Sequence, residues 1–103
     1  MKTFDEIRSD LAEGRIELTV HSLKRIVQRN ISRREIVEAA SKSKIIEDYP
    51  EDKYYPSCLI LGFARSGRPL HLHVSRVPGP DTRLITIYEP NPEEWVDNFS
   101  NRK

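Results

Sequence analysis

A chain of 103 residues fits one domain, spanning 1–103, and excludes a second, because an independent core usually needs about 50 residues or more. With 37% hydrophobic and 32% charged residues and a formal net charge of +1, the composition excludes a disordered chain and argues against a strongly electrostatic nucleic-acid binder. A single cysteine, Cys58, excludes an internal disulfide and a cysteine-rich zinc site, and no apolar run approaches the roughly 18 residues of a membrane span, so a cytoplasmic protein with no membrane contact is expected.

Thr3 and Glu6 form a capping box, Phe4, Ile7 and Leu11 recur at helical spacing, and Gly14 is a natural stop, which predicts a helix over about Phe4 to Glu13. Ile16, Leu18 and Val20 alternate over a stretch too short for a long strand. Thr19 then caps a second helix that runs to about Arg29, and Asn30 ends it. Ser32 and Glu35 make another capping box ahead of a third helix to about Ser43.

From there the period becomes that of a strand. Lys44 to Asp48 reads as a short strand, followed by a polar loop from Tyr49 to Pro56. Ser57 to Arg65 and Arg68 to Val77 form a hairpin across Ser66-Gly67, with Leu70, Leu72 and Val74 on one face. Pro78 to Asp81 turns the chain into a last strand, Arg83 to Tyr88, in which Ile85 and Ile87 alternate. Pro90 and Pro92 stop it, and Glu93 to Phe99 reads as a final helical turn with Trp95 packing back. The expected class is α+β, with two to three N-terminal helices on one face of a mostly antiparallel sheet of about four strands.

The charges are segregated. Arg15, Lys24, Arg25, Arg29, Arg33 and Arg34 face only Glu17 over one stretch, while acids gather at 47–52 and 89–97. This reads either as a phosphate-binding side opposite an acidic one or as a mixed solvated surface. Strand alternation sets His71 and His73 on the face opposite Leu70, Leu72 and Val74, together with Thr86 and Tyr88 from the next strand. On the second helix His21, Arg25 and Gln28 or Arg29 recur at three- and four-residue spacing beside the apolar Leu23, Ile26 and Val27.

Metal-free cleavage of RNA needs a base for the 2′-hydroxyl proton, an acid for the leaving oxygen, and fixed cations for charge on the phosphoryl oxygens. Histidine suits the first two roles and arginine the third. His21, just past its cap, lies at the positive end of a helix, which suits it to accept a proton. The bland readings stand beside these: a helix-start residue for His21, sheet residues for His71 and His73, packing for Tyr88, and ion pairs to acids such as Glu47 or Asp48 for Arg25 and Arg29.

The ordered series Thr19-x-His21, Arg25, Arg29-Asn30-Ile31-Ser32 with Glu35-Ile36, Ile46 to Tyr49, Pro56-Ser57-Cys58-Leu59-x-Leu61-Gly62, Pro69-Leu70-His71 and Thr86-x-Tyr88-x-Pro90 with Trp95 resembles domain-of-unknown-function family 4258 over about residues 16–95. Ser22 stands where the family pattern usually has alanine. The resemblance implies a small toxin module with a RelE- or barnase-like sheet, sometimes paired with a zinc-ribbon antitoxin. It also implies roles for His21, Arg25, Arg29, His71, Thr86 and Tyr88.

The expectation is a metal-independent endoribonuclease toxin of a toxin–antitoxin pair, without cofactor or metal. In it His71 and His21 share acid and base work with Tyr88, Arg25 and Arg29 hold the phosphate, and Thr86 and His73 complete the RNA-binding pocket. Two alternatives stand: a non-catalytic protein- or RNA-binding module, and a zinc hydrolase that uses His21, His71 and His73 as ligands.

Overall fold

Three capping boxes start the three helices. In the computed structural model, which describes residues 1–52 and 55–103, Thr3, Thr19 and Ser32 each accept a hydrogen bond from the backbone N–H three residues on, and the side chain at that third position answers back. The helices are α1 (Phe4–Ala12), α2 (Val20–Gln28) and α3 (Arg33–Ser41). In α2 the answering group is Ser22, whose Oγ accepts from the Thr19 N–H at 2.8 Å. The serine that departs from the family pattern thus satisfies one more of the orphan donors at the helix start than alanine would. Gly14 and Asn30 follow α1 and α2 with φ of 79° and 52°, the left-handed conformation that stops a helix.

The strands are β1 (Ile16–Leu18), β2 (Lys44–Tyr49), β3 (Ser57–Phe63), β4 (Pro69–Ser75), β5 (Thr82–Tyr88), β6 (Trp95–Val96) and β7 (Asn101–Arg102). Five of them make one sheet in the order β1-β5-β4-β3-β2. The expected four antiparallel strands are all present. The fifth, β1, comes from the short Ile16 to Leu18 alternation and pairs parallel with β5, so the sheet is mixed. Lys53 and Tyr54, in the loop expected over 49–56, lie outside the described residues.

One face of this sheet carries Cys58 and Ile60 from β3, Leu70, Leu72 and Val74 from β4, and Leu84 and Ile87 from β5. It buries them against Ile7 and Leu11 of α1 and Ile36, Ala39 and Ala40 of α3. Leu84, not Ile85, shares that face with Ile87. A bulge between the His73 and Val74 pairings inserts one residue into β5 and shifts its phase, which corrects the expected Ile85/Ile87 alternation. Burial pushes the Cys58 thiol up to about 11, so it stays a protonated packing group.

The N-terminus is held by a buried charge network. Lys2 Nζ donates to Asp10 Oδ2 at 2.6 Å, Thr82 Oγ1 donates to the same oxygen at 2.8 Å, and Arg15 donates to Oδ1 at 3.0 Å. Burial opposes ionisation of Asp10, but these donors together outweigh it and hold the carboxyl below the usual aspartate range. A depressed acid contributes stability that is complete above its unfolded pKa of about 3.9 and is lost as pH falls through the folded value. Wild type is therefore expected to exceed Asp10→Asn in stability at neutral pH, with the gap closing below about pH 4 in denaturant melts. An unchanged gap from pH 4 to pH 2 would contradict this linkage.

The C-terminal segment differs from the expected helical turn. Asp97, Asn98 and Phe99 have φ of 53°, 56° and 69°, which a right-handed helix does not admit, and the chain reverses there to pair β6 with β7. Trp95 does pack back: it is 4% exposed and lies on the sheet face opposite the helices.

Candidate functional site

The face turned away from the helices is polar where the opposite one is apolar. In register, Glu47 of β2, Leu59 of β3, His73 of β4 and Thr86 of β5 form one row; Tyr49, Ser57 and Ser75 form the row on one side of it, and Leu61, His71 and Tyr88 the row on the other. The expectation that two histidines, a threonine and a tyrosine share one surface is met, with His71 opposite Tyr88 and His73 opposite Thr86. The two histidines nevertheless have different surroundings.

His71 lies beneath the β6–β7 hairpin. Trp95 meets its ring edge-on at 4.3 Å between centroids, and the residue is 0% exposed. Its Nε2 is 2.9 Å from the carbonyl oxygen of Phe99 and its Nδ1 is 3.2 Å from the Tyr88 hydroxyl. A carbonyl only accepts, so Nε2 carries the proton and donates, and Nδ1 accepts from the Tyr88 O–H. Burial lowers the pKa of His71 and keeps the ring neutral. The pattern and the resemblance assign His71 a share of the acid and base work. Instead it pins the C-terminal hairpin to the sheet, and Tyr88 supplies one of the bonds that hold it.

His73 is only partly buried. Its Nε2 is 2.9 Å from Ser57 Oγ, and Ser57 Oγ is 3.0 Å from Asp52 Oδ2. An ionised carboxylate only accepts, so the one hydroxyl proton of Ser57 goes to Asp52, and Ser57 Oγ accepts from the His73 Nε2–H. In the neutral ring the basic lone pair is therefore on Nδ1. Burial lowers the pKa of His73, and the charge of Asp52 offsets this only in part, which suits the ring to act as a base at neutral pH.

Two adjoining hollows open beside His73. One, of about 470 Å³, is lined by Thr19 and His21 from the start of α2, by His73 and Ser75 of β4, and by Arg83 and Ile85 of β5. The bulge that displaces Ile85 from the core turns it into this hollow. The other, of about 620 Å³, is lined by Tyr49, Glu51, Thr86, Tyr88 and Arg102. His73 and Asp52 border both. His21 is exposed and shares the first hollow with His73.

Arg25 and Arg29 border neither hollow. Arg25 donates to Gln28 at 2.7 Å along its own helix, and Arg29 donates to the Ile87 carbonyl at 2.5 Å. Nor do they pair with Glu47 and Asp48, which hold Arg102 and Arg76 instead. Among the described residues, the cations at the site are Arg83, paired with Glu17 at 3.1 Å on the surface, and Arg102, bound to Glu47 at 2.7 Å and stacked over Trp95 at 4.7 Å. Sequence reasoning missed both, along with Ser57 and Asp52. Arg83 shares the parity of Ile85, but the bulge that brings that parity into the hollow leaves no mark in the pattern. Arg102 lies in a tail without periodicity. Among the described residues, no three His, Cys, Asp or Glu side chains are grouped as a shared metal ion would require, so His21, His71 and His73 do not form the ligand set of the zinc alternative.

Residues 18–89 match a protein-family model described as a domain of unknown function (DUF4258). No curated protein and no solved structure matches the chain.

Proposed function

The chain belongs to the DUF4258 family, and on that premise we propose that it is a toxin-type endoribonuclease that cleaves RNA phosphodiesters by acid–base chemistry without a metal. The observation that carries this reading is the meeting of two imidazoles and a guanidinium, His21, His73 and Arg83, around one solvent-open hollow. In the proposed reaction His73 Nδ1 takes the proton of the 2′-hydroxyl and the 2′-oxygen attacks phosphorus. The bond from phosphorus to the 5′-oxygen breaks, and protonated His21 gives that oxygen its proton. Products are a 2′,3′-cyclic phosphate and a 5′-hydroxyl. Arg83 faces the charge on the non-bridging oxygens.

The roles expected from sequence are redistributed: His21, whose place at the helix start suggests a proton acceptor, serves here as the acid, because His73 takes the part of the base. His71 and Tyr88 support the fold beneath the site, Thr86 lines the neighbouring cleft, and Arg25 and Arg29 act on RNA only outside the hollows. The packing of α1 and α3 on one sheet face, with the site on the other, supports the likeness to RelE- and barnase-type sheets. A cytoplasmic location and an inhibitory zinc-ribbon antitoxin belong to the same proposal. For such a partner, α2 presents Val20, Leu23 and Val27, 74%, 50% and 72% exposed, in one stripe beside His21.

The test is purified protein, free of any inhibitor, incubated with end-labelled RNA in EDTA. Fragments ending in 2′,3′-cyclic phosphate are expected. Folded protein that binds the RNA and leaves it whole would replace the enzyme reading with that of a binding module.

A further inference from the structure

The cleft beside the catalytic hollow has no part in the proton transfers, yet it is the larger of the two and opens off the same histidine. Its volume of about 620 Å³ is in the range of small-ligand sites. Leu59 forms an apolar patch in its lining, the phenol rings of Tyr49 and Tyr88 offer aromatic surface, and Thr86 adds a hydroxyl. Arg102 lines the cleft where it is held by Glu47 and Trp95, a guanidinium fixed in place before any ligand arrives. Glu51, an acidic residue, also lines the cleft, next in the chain to Asp52, whose carboxylate accepts from Ser57.

We infer that this cleft is a nucleobase subsite and that the base it takes is guanine. The inference deepens the ribonuclease reading and rests on it for the identity of the neighbouring site. A flat ring system suits a lining with aromatic and apolar surface, and because both hollows are bordered by His73, a base flanking a phosphate held in the first would reach the second. The choice of base follows from donor and acceptor chemistry. The guanine edge presents two adjacent N–H donors, N1 and N2, to a single carboxylate, and its O6 and N7 accept from a guanidinium. Glu51 and Arg102 supply that pair of groups in one cleft. Adenine offers N1 as an acceptor instead, so a carboxylate facing it would be repelled. Cytosine and uracil lack both the paired donors and the second ring for stacking.

The experiment is a titration of the folded protein with the 3′-monophosphates of guanosine, adenosine, cytidine and uridine, followed by heteronuclear NMR. The guanosine nucleotide is expected to bind at least about tenfold more tightly than the adenosine nucleotide, a difference of about 1.4 kcal/mol. It should move the resonances of Tyr49, Glu51 and Arg102. Glu51→Gln keeps the size of the side chain but replaces one acceptor by a donor. It is expected to bring the guanosine nucleotide down to the affinity of the adenosine one, with the protein's other resonances in place. Equal affinities for the two purines, or a guanine preference that survives Glu51→Gln, would overturn the inference. The enzyme reading is judged separately: guanine-selective binding with no RNA cleavage would keep the subsite and remove the nuclease, and cleavage indifferent to base would do the reverse.

Discussion

Replacing His73 with alanine is expected to lower the rate of RNA cleavage by about 10²- to 10⁴-fold, the range associated with one positioned acid–base group. His73 borders both hollows and its Nε2 is engaged by Ser57 Oγ, so the proton-accepting nitrogen is fixed as Nδ1 by the neighbours and not by the substrate. Because burial lowers its pKa, the acid limb of the wild-type pH–rate profile should fall below the ordinary imidazole range, and this limb should vanish in His73→Ala. His71→Ala gives the contrast. It removes the ring that bonds the Phe99 carbonyl and supports Trp95, so its loss of activity should come with a lowered melting temperature, whereas His73→Ala should melt close to wild type. If His73→Ala cleaves at the wild-type rate while His71→Ala is folded and inactive, the roles given to the two histidines are reversed.

The largest expected effect on stability comes from Gly62→Ala. Gly62 lies on β3 where α3 crosses the sheet. A Cβ there would sit 1.9 Å from the carbonyl oxygen of Ala39 and 2.5 Å from its carbonyl carbon. Both atoms are backbone, so no rotamer change relieves the clash, and α3 must move off the sheet and take Ile36, Ala39 and Ala40 with it. Overpacking of a closed core costs about 1–3 kcal/mol, and a contact this short with a main chain belongs at or above the upper end. A loss of about 3 kcal/mol corresponds to a drop in Tm of about 12 °C or more for a domain of this size. A shift under about 4 °C, measured by calorimetry, would mean that α3 does not approach β3 as closely as Gly62 permits.

Most of the architecture was legible because it rests on local signals. The capping boxes at Thr3 and Ser32 and the cap at Thr19 marked three helix starts, and the alternation of Leu70, Leu72 and Val74 fixed which side of β4 faces the helices. The same alternation correctly put His71, His73, Thr86 and Tyr88 on the far side.

What escaped depends on residues distant in sequence. Nothing local in Trp95 to Arg102 tells that this segment folds over His71, so the choice between two histidines one pleat apart could not be made from pattern. The bulge at Ile85 changes which β5 side chains reach the site, and bulges are tertiary in origin. The arginines of α2 look like phosphate ligands on a helical wheel, but Arg29 is taken up by the Ile87 carbonyl of β5 and Arg25 by Gln28 of its own helix.

The central claim is that His21 and His73 serve one phosphate together while His71 does not. It is tested most directly by following the ring nitrogens of all three histidines in ¹⁵N-labelled protein as a nucleoside 3′-monophosphate is added. His21 and His73 are expected to shift along one binding curve with a common Kd, while the Nε2-protonated pattern of His71 stays constant throughout. Shifts at His71 with His21 unmoved, or different binding curves for His21 and His73, would contradict it.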